Sequence, residues 1–482
     1  MEAGTDLAAE LAVRDARIAG QAELIAEQAE RNLKLEEANA ELRAQVAKLT
    51  EQLGRNSTNS HLPPSSDGPG GGGRVGRRKK KSSGRKRGGQ KGHKGAHRRL
   101  LPSEMVDTTH VLAPSHCEGC AGTVMPVAGR VRRFQQVDIR DGKRHVEEWK
   151  LHDGYCPRCG TRTRLVYGEA VPASAFGPGL AAVVVVLTGV YHLSRRQAQS
   201  ALLDLFGISL SLGSVSHLEG RASDALEPAY EEARAAVEEA LVKHTDATSW
   251  LRAGSMMSLW VLACASATLY TILGNGKKAT IRPFFGALKG ILVSDRASVF
   301  GFWVMKDRQV CWAHLIRRFV AFSERDGPEA GIGAELLGLA GILFEYWHGF
   351  LQGKLTRDEL RIWMEPVQRH VQALLQRAAA GEYSEVSGSC RDILGHAEAL
   401  WTFVDHEGVE PTNNHAELML RPFVLWRKKS FGTQSERGER FAERIMTVAQ
   451  TARKQGVHVL DFLVGTLRAH VGGGVRPRLL AG

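Results

Sequence analysis

Three acidic residues stand in segments that suit metal-binding carboxylates. Asp246 closes the strand-like run 241–246, and Asp295 closes the strand-like run 290–295. Glu417 lies in a segment with helical character. We predict that the two aspartates project from strand ends and that the glutamate lies on a helix. An isolated aspartate at a strand end is also a common turn-forming residue, so each aspartate taken alone is a weak signal.

The predicted helix of Glu417 has a start and an interruption in the sequence. Thr412 is a residue type that favours the N-cap position, and Pro422 interrupts the helical pattern. Asn413 and Asn414 lie between the cap and the glutamate and are candidate accessory residues. Residues 258–273 are rich in β-branched and aromatic types and predict two adjacent strands between the aspartates.

Carboxylates in this number predict one kind of chemistry. Mg²⁺ and Mn²⁺ prefer oxygen ligands. Two such ions about 3.5–4 Å apart can stabilise both the attacking and the leaving oxygen of an in-line phosphoryl displacement. The three acids therefore predict a two-ion Mg²⁺ (or Mn²⁺) site for breaking and exchanging phosphodiester bonds.

Four of the seven cysteines form two C-x-x-C pairs. The pairs are Cys117 with Cys120 and Cys156 with Cys159. Two such pairs supply four thiolates for one structural Zn²⁺, although reduced core cysteines or a redox pair are alternatives. Asp141 and Gly142 separate two strand-like runs and predict a hairpin that returns the second pair to the first.

The net charge of +12 comes from one short segment. Residues 74–99 contain thirteen Lys and Arg and no acid, so the rest of the chain is close to neutral. The segment is also rich in Gly and Ser, which predicts disorder and strongly salt-dependent DNA binding. A solubilising linker is the alternative. The candidate DNA-binding residues here are Arg77, Arg78, Lys79, Lys80, Lys81, Arg85, Lys86, Arg87, Lys91 and Lys94.

The first 55 residues repeat with a period of seven. Apolar residues such as Leu11, Ile18, Leu42 and Val46 fall on the two seam positions, with Asn32 as a polar layer. This pattern predicts a coiled coil that joins two chains, and a single amphipathic helix folded back on the protein is the alternative.

Further along the chain, several helical segments carry candidate contacts. Residues 197–222 have the helix, glycine turn and helix of a DNA-reading motif, but two core helices would look the same. His314 and Arg317 begin a helix after a strand and are candidate accessory residues beside the acids, while a packed structural histidine is equally consistent. Three basic residues follow Glu417 and are candidates for contact with the DNA backbone or simply a solvated face. These are Arg427, Lys428 and Lys429.

Membrane attachment and secretion are not expected. The apolar run 180–190 is too short to span a bilayer, and residues 1–10 lack a signal peptide's basic start and apolar core.

Five phrases of the sequence resemble the insertion-sequence-66 family of bacterial transposases, and the resemblance covers nearly the whole chain. They are LGRNSTNSHLPPSSDG, KRGGQKGHKG, the CEGC and CPRC pairs, VCWAHLIRR, and TNNHAELMLRPFVLWRKKSFGTQSERG. The resemblance implies that Asp246, Asp295 and Glu417 are the three metal-binding acids of a DDE transposase with a ribonuclease-H-like catalytic domain. It also implies a zinc-finger-like module. In two places the sequence departs from the family: Ala247 follows the first aspartate instead of Glu, and Leu418 follows the glutamate instead of Arg.

The resemblance implies metal-dependent cleavage of insertion-sequence ends and strand transfer into target DNA. It further implies a cytoplasmic, nucleoid-associated bacterial protein that works with DNA and with small accessory proteins. Two other functions are open: a catalytically inactive, sequence-specific DNA-binding dimer at the element ends, and a general ribonuclease-H-like nuclease.

The predicted fold class is a multidomain α+β chain with a coiled coil, a small zinc-binding β module, and an α/β catalytic domain that carries a helical insertion. Its predicted segments are the coiled coil 1–55, the basic linker 56–105, the zinc module 106–168, the helical segment 169–235, the catalytic sheet 236–314, the helical insertion 315–405, and the Glu417 helix with its helical tail 406–482.

Overall fold

The computed structural model describes residues 99–165, 171–286, 288–325, 327–381 and 384–480, together with 30, 31, 34, 36–46 and 50 near the N terminus. The chain divides into two compact units, Met1–Asp67 and Gly68–Gly482. Most of the predicted coiled coil lies outside the described residues, as do all ten DNA-binding candidates of the basic segment.

In the first unit, residues 36–46 form a helix whose side chains are exposed. Leu42 and Val46, both on the predicted seam, are 59% and 61% exposed. Apolar side chains in this arrangement suit a partner helix. The coiled coil itself stays a prediction.

The first sheet of the second unit forms the cysteine-bearing module. It follows the order β1-β3-β2, with β4 paired to β3. Its strands are β1 (Thr108–Leu112), β2 (Met125–Arg140), β3 (Lys143–Tyr155) and β4 (Arg162–Thr163). The β2–β3 hairpin turns at Asp141 and Gly142, whose φ angles are 49° and 72°. Two consecutive left-handed residues favour Asp-Gly, and the predicted hairpin is confirmed.

Asp138 of β2 joins this module to the helical body. Its buried carboxylate accepts the N–H of Leu180 at 2.7 Å, in the first turn of helix α1 (Pro178–Val185). A carboxylate at a helix N-terminus satisfies a free N–H and interacts favourably with the helix dipole. One wider turn, Val186–Val190, extends α1.

Gly179 allows the close approach of α1 to β2, and its replacement should destabilise the fold. A Cβ at Gly179 would lie 2.2 Å from the carbonyl oxygen of Ile139, which is backbone that cannot move aside cheaply. We expect Gly179→Ala to lower the melting temperature, corresponding to about 1–3 kcal/mol of overpacking strain. Gly338→Ala is the control, since a Cβ there would meet nothing within 4 Å. An equal melting temperature for the two variants would refute this account of the α1–β2 contact.

Two helices follow in the order predicted for a DNA-reading motif. Helix α2 (Arg195–Phe206) starts at a capping box formed by Ser194 and Gln197 and ends at a left-handed Gly207. Helix α3 (Leu212–Glu239) is much longer than a recognition helix needs to be. Both helices bury apolar side chains in the main core, so core packing accounts for one face of each. DNA reading by these helices stays a prediction.

The second sheet carries both aspartates. Its order is β7-β6-β5-β8-β9. The strands are β5 (Val242–Arg252), β6 (Ser255–Ala263), β7 (Thr268–Leu273), β8 (Ile291–Ser294) and β9 (Arg308–Val310). Neighbours from β5 to β7 pair antiparallel, whereas β8 pairs parallel with both β5 and β9. The two strands predicted within 258–273 are confirmed as parts of β6 and β7.

The prediction that Asp246 ends its strand is wrong. Strand β5 continues to Arg252, because residues beyond Asp246 keep pairing with β6 down to Ser255. On its other side β5 pairs with the short strand β8 only as far as His244. Asp246 therefore lies in the middle of strand β5, just past the last residue of β5 that pairs with β8.

Between β7 and Glu417 the described chain is mostly helical. The helices are α4 (Lys278–Phe285), α5 (Trp312–Ser323), α6 (Pro328–Leu351), α7 (Arg357–Ala380), α8 (Ser384–Leu394) and the short α9 (Thr402–Asp405). Helices α5 to α8 bury their own apolar cluster, which includes Trp312, Phe319, Leu336 and Met364. In the sequence, these helices lie between Asp295 and the helix of Glu417.

Three C-terminal helices complete the main core. They are α10 (Asn414–Ser430), α11 (Glu436–Lys454) and α12 (Val459–Gly472). Helix α10 packs on β5 and β6, and α11 packs on β7 and α3. Trp250 of β5 meets Phe423 and Trp426 of α10 edge-on, with ring centroids 5.4 and 6.0 Å apart. This aromatic contact fixes α10 against the sheet.

In the described part of the chain, one helix is long and apolar enough to cross a membrane by length and composition. This helix is α6, and a third of its most apolar stretch is buried in the structure. Leu336, Ala340 and Leu343 of α6 belong to the apolar cluster of the helical insertion. A helix in the core of a protein meets the same criterion, so α6 is weak evidence for a membrane span.

Candidate active site

Asp246 and Asp295 lie side by side just past the end of the parallel β5–β8 pair. The parallel pairing of β5 with β8 ends at His244 and Val293. Asp246 lies two residues beyond His244 along the chain, and Asp295 lies two residues beyond Val293. Asp295 follows the last residue of β8, and its Oδ1 accepts the N–H of Ala297 at 2.9 Å. Carboxyl ends of adjacent parallel strands are common positions for binding sites.

Glu417 approaches the two aspartates from the first turn of α10. The N-cap of α10 is Asn413 and not the predicted Thr412, because the sheet holds Asn413 in place. Its side-chain N–H donates to the carbonyl of Thr245 at 2.7 Å, and its backbone N–H donates to the sulfur of Cys311 at 3.1 Å. Asn413 is thus buried and positions the helix start. Asn414, the next residue, is exposed.

The prediction that Pro422 interrupts this helix is also wrong. Helix α10 continues through Pro422 to Ser430. An interior proline removes one backbone hydrogen bond. The aromatic packing of Phe423 and Trp426 on Trp250 offsets that loss.

The three carboxylates influence one another electrostatically. Burial, together with the negative charges of Asp295 and Glu417, raises the pKa of Asp246 to about 7 against the opposing hydrogen bond from Ala247. The Oε1 atom of Glu417 is buried and has no hydrogen-bond partner within the described structure. Half-buried, mutually repelling carboxylates with an open acceptor atom fit a divalent cation, which would neutralise them.

Arg317 and His314 of α5 contact Glu417. The Arg317 guanidinium lies 3.5 Å from Glu417 Oε2, and His314 Nδ1 lies 3.8 Å from Glu417 Oε1. Burial, together with the charge of Arg317, lowers the pKa of His314. The accessory residues predicted from sequence therefore lie beside the third acid.

A tighter group within this site was not predicted. Ligand atoms of Cys311, His314 and Glu417 all lie within 4.8 Å of one another, and the two aspartates are not part of that group. Cys311 follows β9, and its N–H donates to the carbonyl of Ser294 next to Asp295. The Cys-x-x-His spacing at the start of α5 could have indicated part of this ligand group from the sequence, because residues three apart share one helix face.

Behind the acids lies a second polar cluster that sequence analysis missed. The rings of His244 and His415 are 5.0 Å apart, and Lys454 Nζ lies 2.8 Å from His415 Nε2. Burial lowers the pKa of both histidines to about 4, with the neighbouring His415 acting on His244 and Lys454 acting on His415. Neutral imidazoles therefore link β5 to α10 and α11 beneath the site.

Arg427 is buried in the structure, whereas we predicted that it contacts the DNA backbone. It lies in the last turn of α10, is fully buried, and donates to the carbonyl of Ser249 at 3.0 Å and to the hydroxyl of Thr248. Lys428 and Lys429 lie in the same turn and are exposed. Their contact with DNA stays a prediction.

This burial leads to a prediction for Arg427→Ala. The change should lower the melting temperature, since it removes hydrogen bonds from a buried charged group, which contribute about 1.5–3 kcal/mol. The exposed Lys429→Ala should leave the melting temperature unchanged. A variant Arg427→Ala that melts like the natural protein yet binds DNA poorly would instead restore the DNA-contact role.

The four paired cysteines meet in the β module. Ligand atoms of Cys117, Cys120, Cys156 and Cys159 lie within 4.8 Å of one another. All seven cysteines are free thiols. The two loops are alike: the N–H of Ala121 donates to Cys117 O, and the N–H of Gly160 donates to Cys156 O. Hydrogen bonding with Thr161 lowers the pKa of Cys159 to about 6. Four converging sulfurs fit a tetrahedral Zn²⁺.

The fold and these sites define a mixed α/β protein with a four-cysteine module and a cluster of carboxylates at the end of the β5–β8 strand pair. The chain matches the Transposase IS66 family over residues 173–440, more than half of its length, and therefore belongs to that family. This confirms the resemblance and supports a transposase role in general terms. The matched range includes Asp246, Asp295 and Glu417 and begins after the four cysteines.

Two other similarities add less. Residues 12–99 match a family of unknown function, DUF6444. The uncharacterized protein y4qI of Sinorhizobium fredii (strain NBRC 101917 / NGR234) is 30% identical over 167 residues, which cover 33% of this chain and 30% of that relative. The chain thus matches about a third of the length of this curated relative.

Proposed function

We propose that this protein is a DDE transposase that cleaves insertion-sequence ends and joins the resulting 3′ hydroxyl to target DNA. The observation that carries the proposal is the convergence of Asp246, Asp295 and Glu417 at the end of the β5–β8 pair in a chain of the IS66 transposase family. Hydrolysis of one phosphodiester bond would free the 3′ hydroxyl, and attack of that hydroxyl on a target phosphate would exchange one bond for another.

The strand arrangement supports a ribonuclease-H-like catalytic domain. Three antiparallel strands are followed in space by two parallel ones, with both aspartates just past the end of the β5–β8 pair and the glutamate on a helix. The helices α5 to α8 lie between the second and third acids, as a helical insertion would.

The donor set fits two Mg²⁺ or Mn²⁺ ions held by Asp246, Asp295 and Glu417. Such ions supply activation of the attacking oxygen and stabilisation of the leaving oxygen when bound. Other residues of the chain position the metal-binding side chains. Asn413 fixes the start of α10, and the guanidinium of Arg317 contacts the far oxygen of Glu417. Both contacts would keep Glu417 directed at the aspartates.

DNA would approach along the exposed face of α10. Leu418, Arg421, Leu425, Lys428 and Lys429 lie on this face and start one residue after Glu417. Cationic side chains would contact phosphates next to the scissile bond, while the leucines would lie against sugar and base edges. The family's usual arginine after the glutamate would add one more phosphate contact than Leu418 does.

The remaining parts would hold the complex together. A Zn²⁺ bound by Cys117, Cys120, Cys156 and Cys159 would be closed and structural, with no open position for catalysis. The N-terminal heptads would join two chains, which matches an element with two ends, and the basic segment 74–99 would add sequence-independent DNA affinity. We further propose small accessory proteins as partners, and a location on the bacterial nucleoid in the cytoplasm.

The test is metal-dependent cleavage of the element's own ends. Purified full-length protein is incubated with labelled duplexes that carry the repeats flanking its gene, with Mg²⁺, with Mn²⁺, or with a chelator. We expect strand cleavage at the repeat boundary with either ion and none with the chelator, and no cleavage of a scrambled duplex. Tight binding to the ends without cleavage, even when accessory proteins are supplied, would favour the inactive DNA-binding dimer instead.

A further inference from the structure

We propose that Cys311, His314 and Glu417 form a second cation site, selective for thiophilic ions such as Zn²⁺, Cd²⁺ or Co²⁺. Sulfur, nitrogen and oxygen donors come from three different side chains, and their ligand atoms lie within 4.8 Å of one another. In the described part of the chain, the four-cysteine module is the other group that meets this criterion.

Two of the three donor atoms lack partners. His314 Nδ1 and Glu417 Oε1 are both buried without a hydrogen bond, and they face each other across 3.8 Å. A buried polar atom left without a partner destabilises the fold. A cation between the two atoms would satisfy both at once.

The donor types select the ion. Thiolate and imidazole are poor ligands for Mg²⁺ but good ligands for Zn²⁺, Cd²⁺ and Co²⁺. Three protein ligands with a fourth position open to solvent are a common arrangement for zinc. Binding would release the Cys311 thiol proton to solvent as the metal–sulfur bond forms.

Neighbouring groups would support the bound ion. The backbone N–H of Asn413 donates to Cys311 Sγ at 3.1 Å, which stabilises a thiolate. Arg317 contacts Glu417 Oε2, the oxygen opposite the one that faces His314. Such outer contacts orient metal ligands and tune their affinity.

The site would act as an inhibitory switch, a consequence that rests on the proposed function. Glu417 belongs to both groups of ligands, so an ion held by Cys311 and His314 would take Glu417 away from the two aspartates. Zinc-replete conditions would then lower the activity of the transposase without changing its structure elsewhere.

Binding is tested first, without any cleavage assay. Full-length protein whose four-cysteine module is filled with one equivalent of Zn²⁺ is titrated with Co²⁺ under reducing conditions, and sulfur-to-cobalt absorption is recorded. We expect a second equivalent to bind in the natural protein and in Cys390→Ser, a control variant at another buried cysteine. We expect no second equivalent in Cys311→Ser or in His314→Gln, which keeps the thiol. The same second equivalent in all four proteins, or in none, would overturn the proposal.

Inhibition is tested second. Cd²⁺ is titrated into the Mg²⁺-dependent cleavage reaction, and each protein is normalised to its own cadmium-free rate. We expect the natural protein to need at least about tenfold less Cd²⁺ for half-inhibition than Cys311→Ser, in line with the loss of affinity when a site loses supporting groups. Equal sensitivity would overturn the switch. A protein that binds Co²⁺ as expected but cleaves no DNA would instead refute the proposed function and leave the cation site standing.

Discussion

Replacing Asp295 by Asn, or Glu417 by Gln, should lower the rate of end cleavage by at least about 10²–10³-fold, the range seen when one preorganised electrostatic contact is lost. Each change keeps the size of the side chain and removes its negative charge. Binding of the end duplex should persist, because the residues that we expect to contact phosphates are different ones. Single-turnover cleavage and DNA affinity are measured on the same preparations.

The control for this prediction is Asp461→Asn. Asp461 is a highly exposed acid of α12 that forms an ion pair with His458. Its replacement should leave cleavage unchanged. Cleavage that survives in Asp295→Asn and Glu417→Gln would exclude these residues as the catalytic acids.

Asp246→Asn should change the melting temperature as well as abolish cleavage. Removing the charge of a half-buried carboxylate that lies among like charges relieves repulsion, so the metal-free variant should melt at a higher temperature than the metal-free natural protein. Mg²⁺ should raise the melting temperature of the natural protein and have little effect on the variant. A variant that melts lower without metal would show that the carboxylate is stabilised by contacts other than a cation.

Replacing Cys117 or Cys156 by Ser should have the largest effect on stability. Both sulfurs are buried, and structural zinc contributes roughly 10–16 kcal/mol in small zinc-folded peptides. The natural protein should retain one zinc after exposure to a mild chelator, and the variants should retain none. The β module should then be cut rapidly by protease.

The loss should spread beyond the module. Val137 and Val146 of the β2–β3 hairpin belong to the main apolar core, and Asp138 caps α1. We therefore expect a lower melting temperature for the whole second unit. The control is Cys390→Ala, which replaces a buried cysteine far from the module in sequence. This variant should keep its zinc. Full zinc retention in Cys117→Ser would contradict a four-thiolate site.

Local sequence patterns predicted much of the site's framework. Strand-like runs gave the location of both aspartates, and a turn of Asp141 and Gly142 gave the hairpin of the cysteine module. These features depend on residues close together in the chain. Alternation, turn chemistry and C-x-x-C spacing report on such local structure.

Features that depend on distant partners were missed. Asp246 is not a strand end because β6 extends the pairing, and Arg427 is buried because Thr248 and Ser249, about 180 residues earlier, accept its hydrogen bonds. Asn413 replaces Thr412 as the cap because Thr245 and Cys311 hold it. The periodicity of apolar residues in α10 does not indicate which strand the helix packs against.

The most direct test of the central claim is strand transfer from a precut end. A labelled duplex that already carries the exposed 3′ hydroxyl of the element end is incubated with the natural protein, Mg²⁺ and a target plasmid, which bypasses the cleavage step. We predict covalent joining of the end to the plasmid, and no joining with Asp295→Asn or with an end that lacks its 3′ hydroxyl. Natural protein that binds both DNAs but never joins them, or joining that persists in Asp295→Asn, would contradict the assignment of Asp246, Asp295 and Glu417 as a transposase active site.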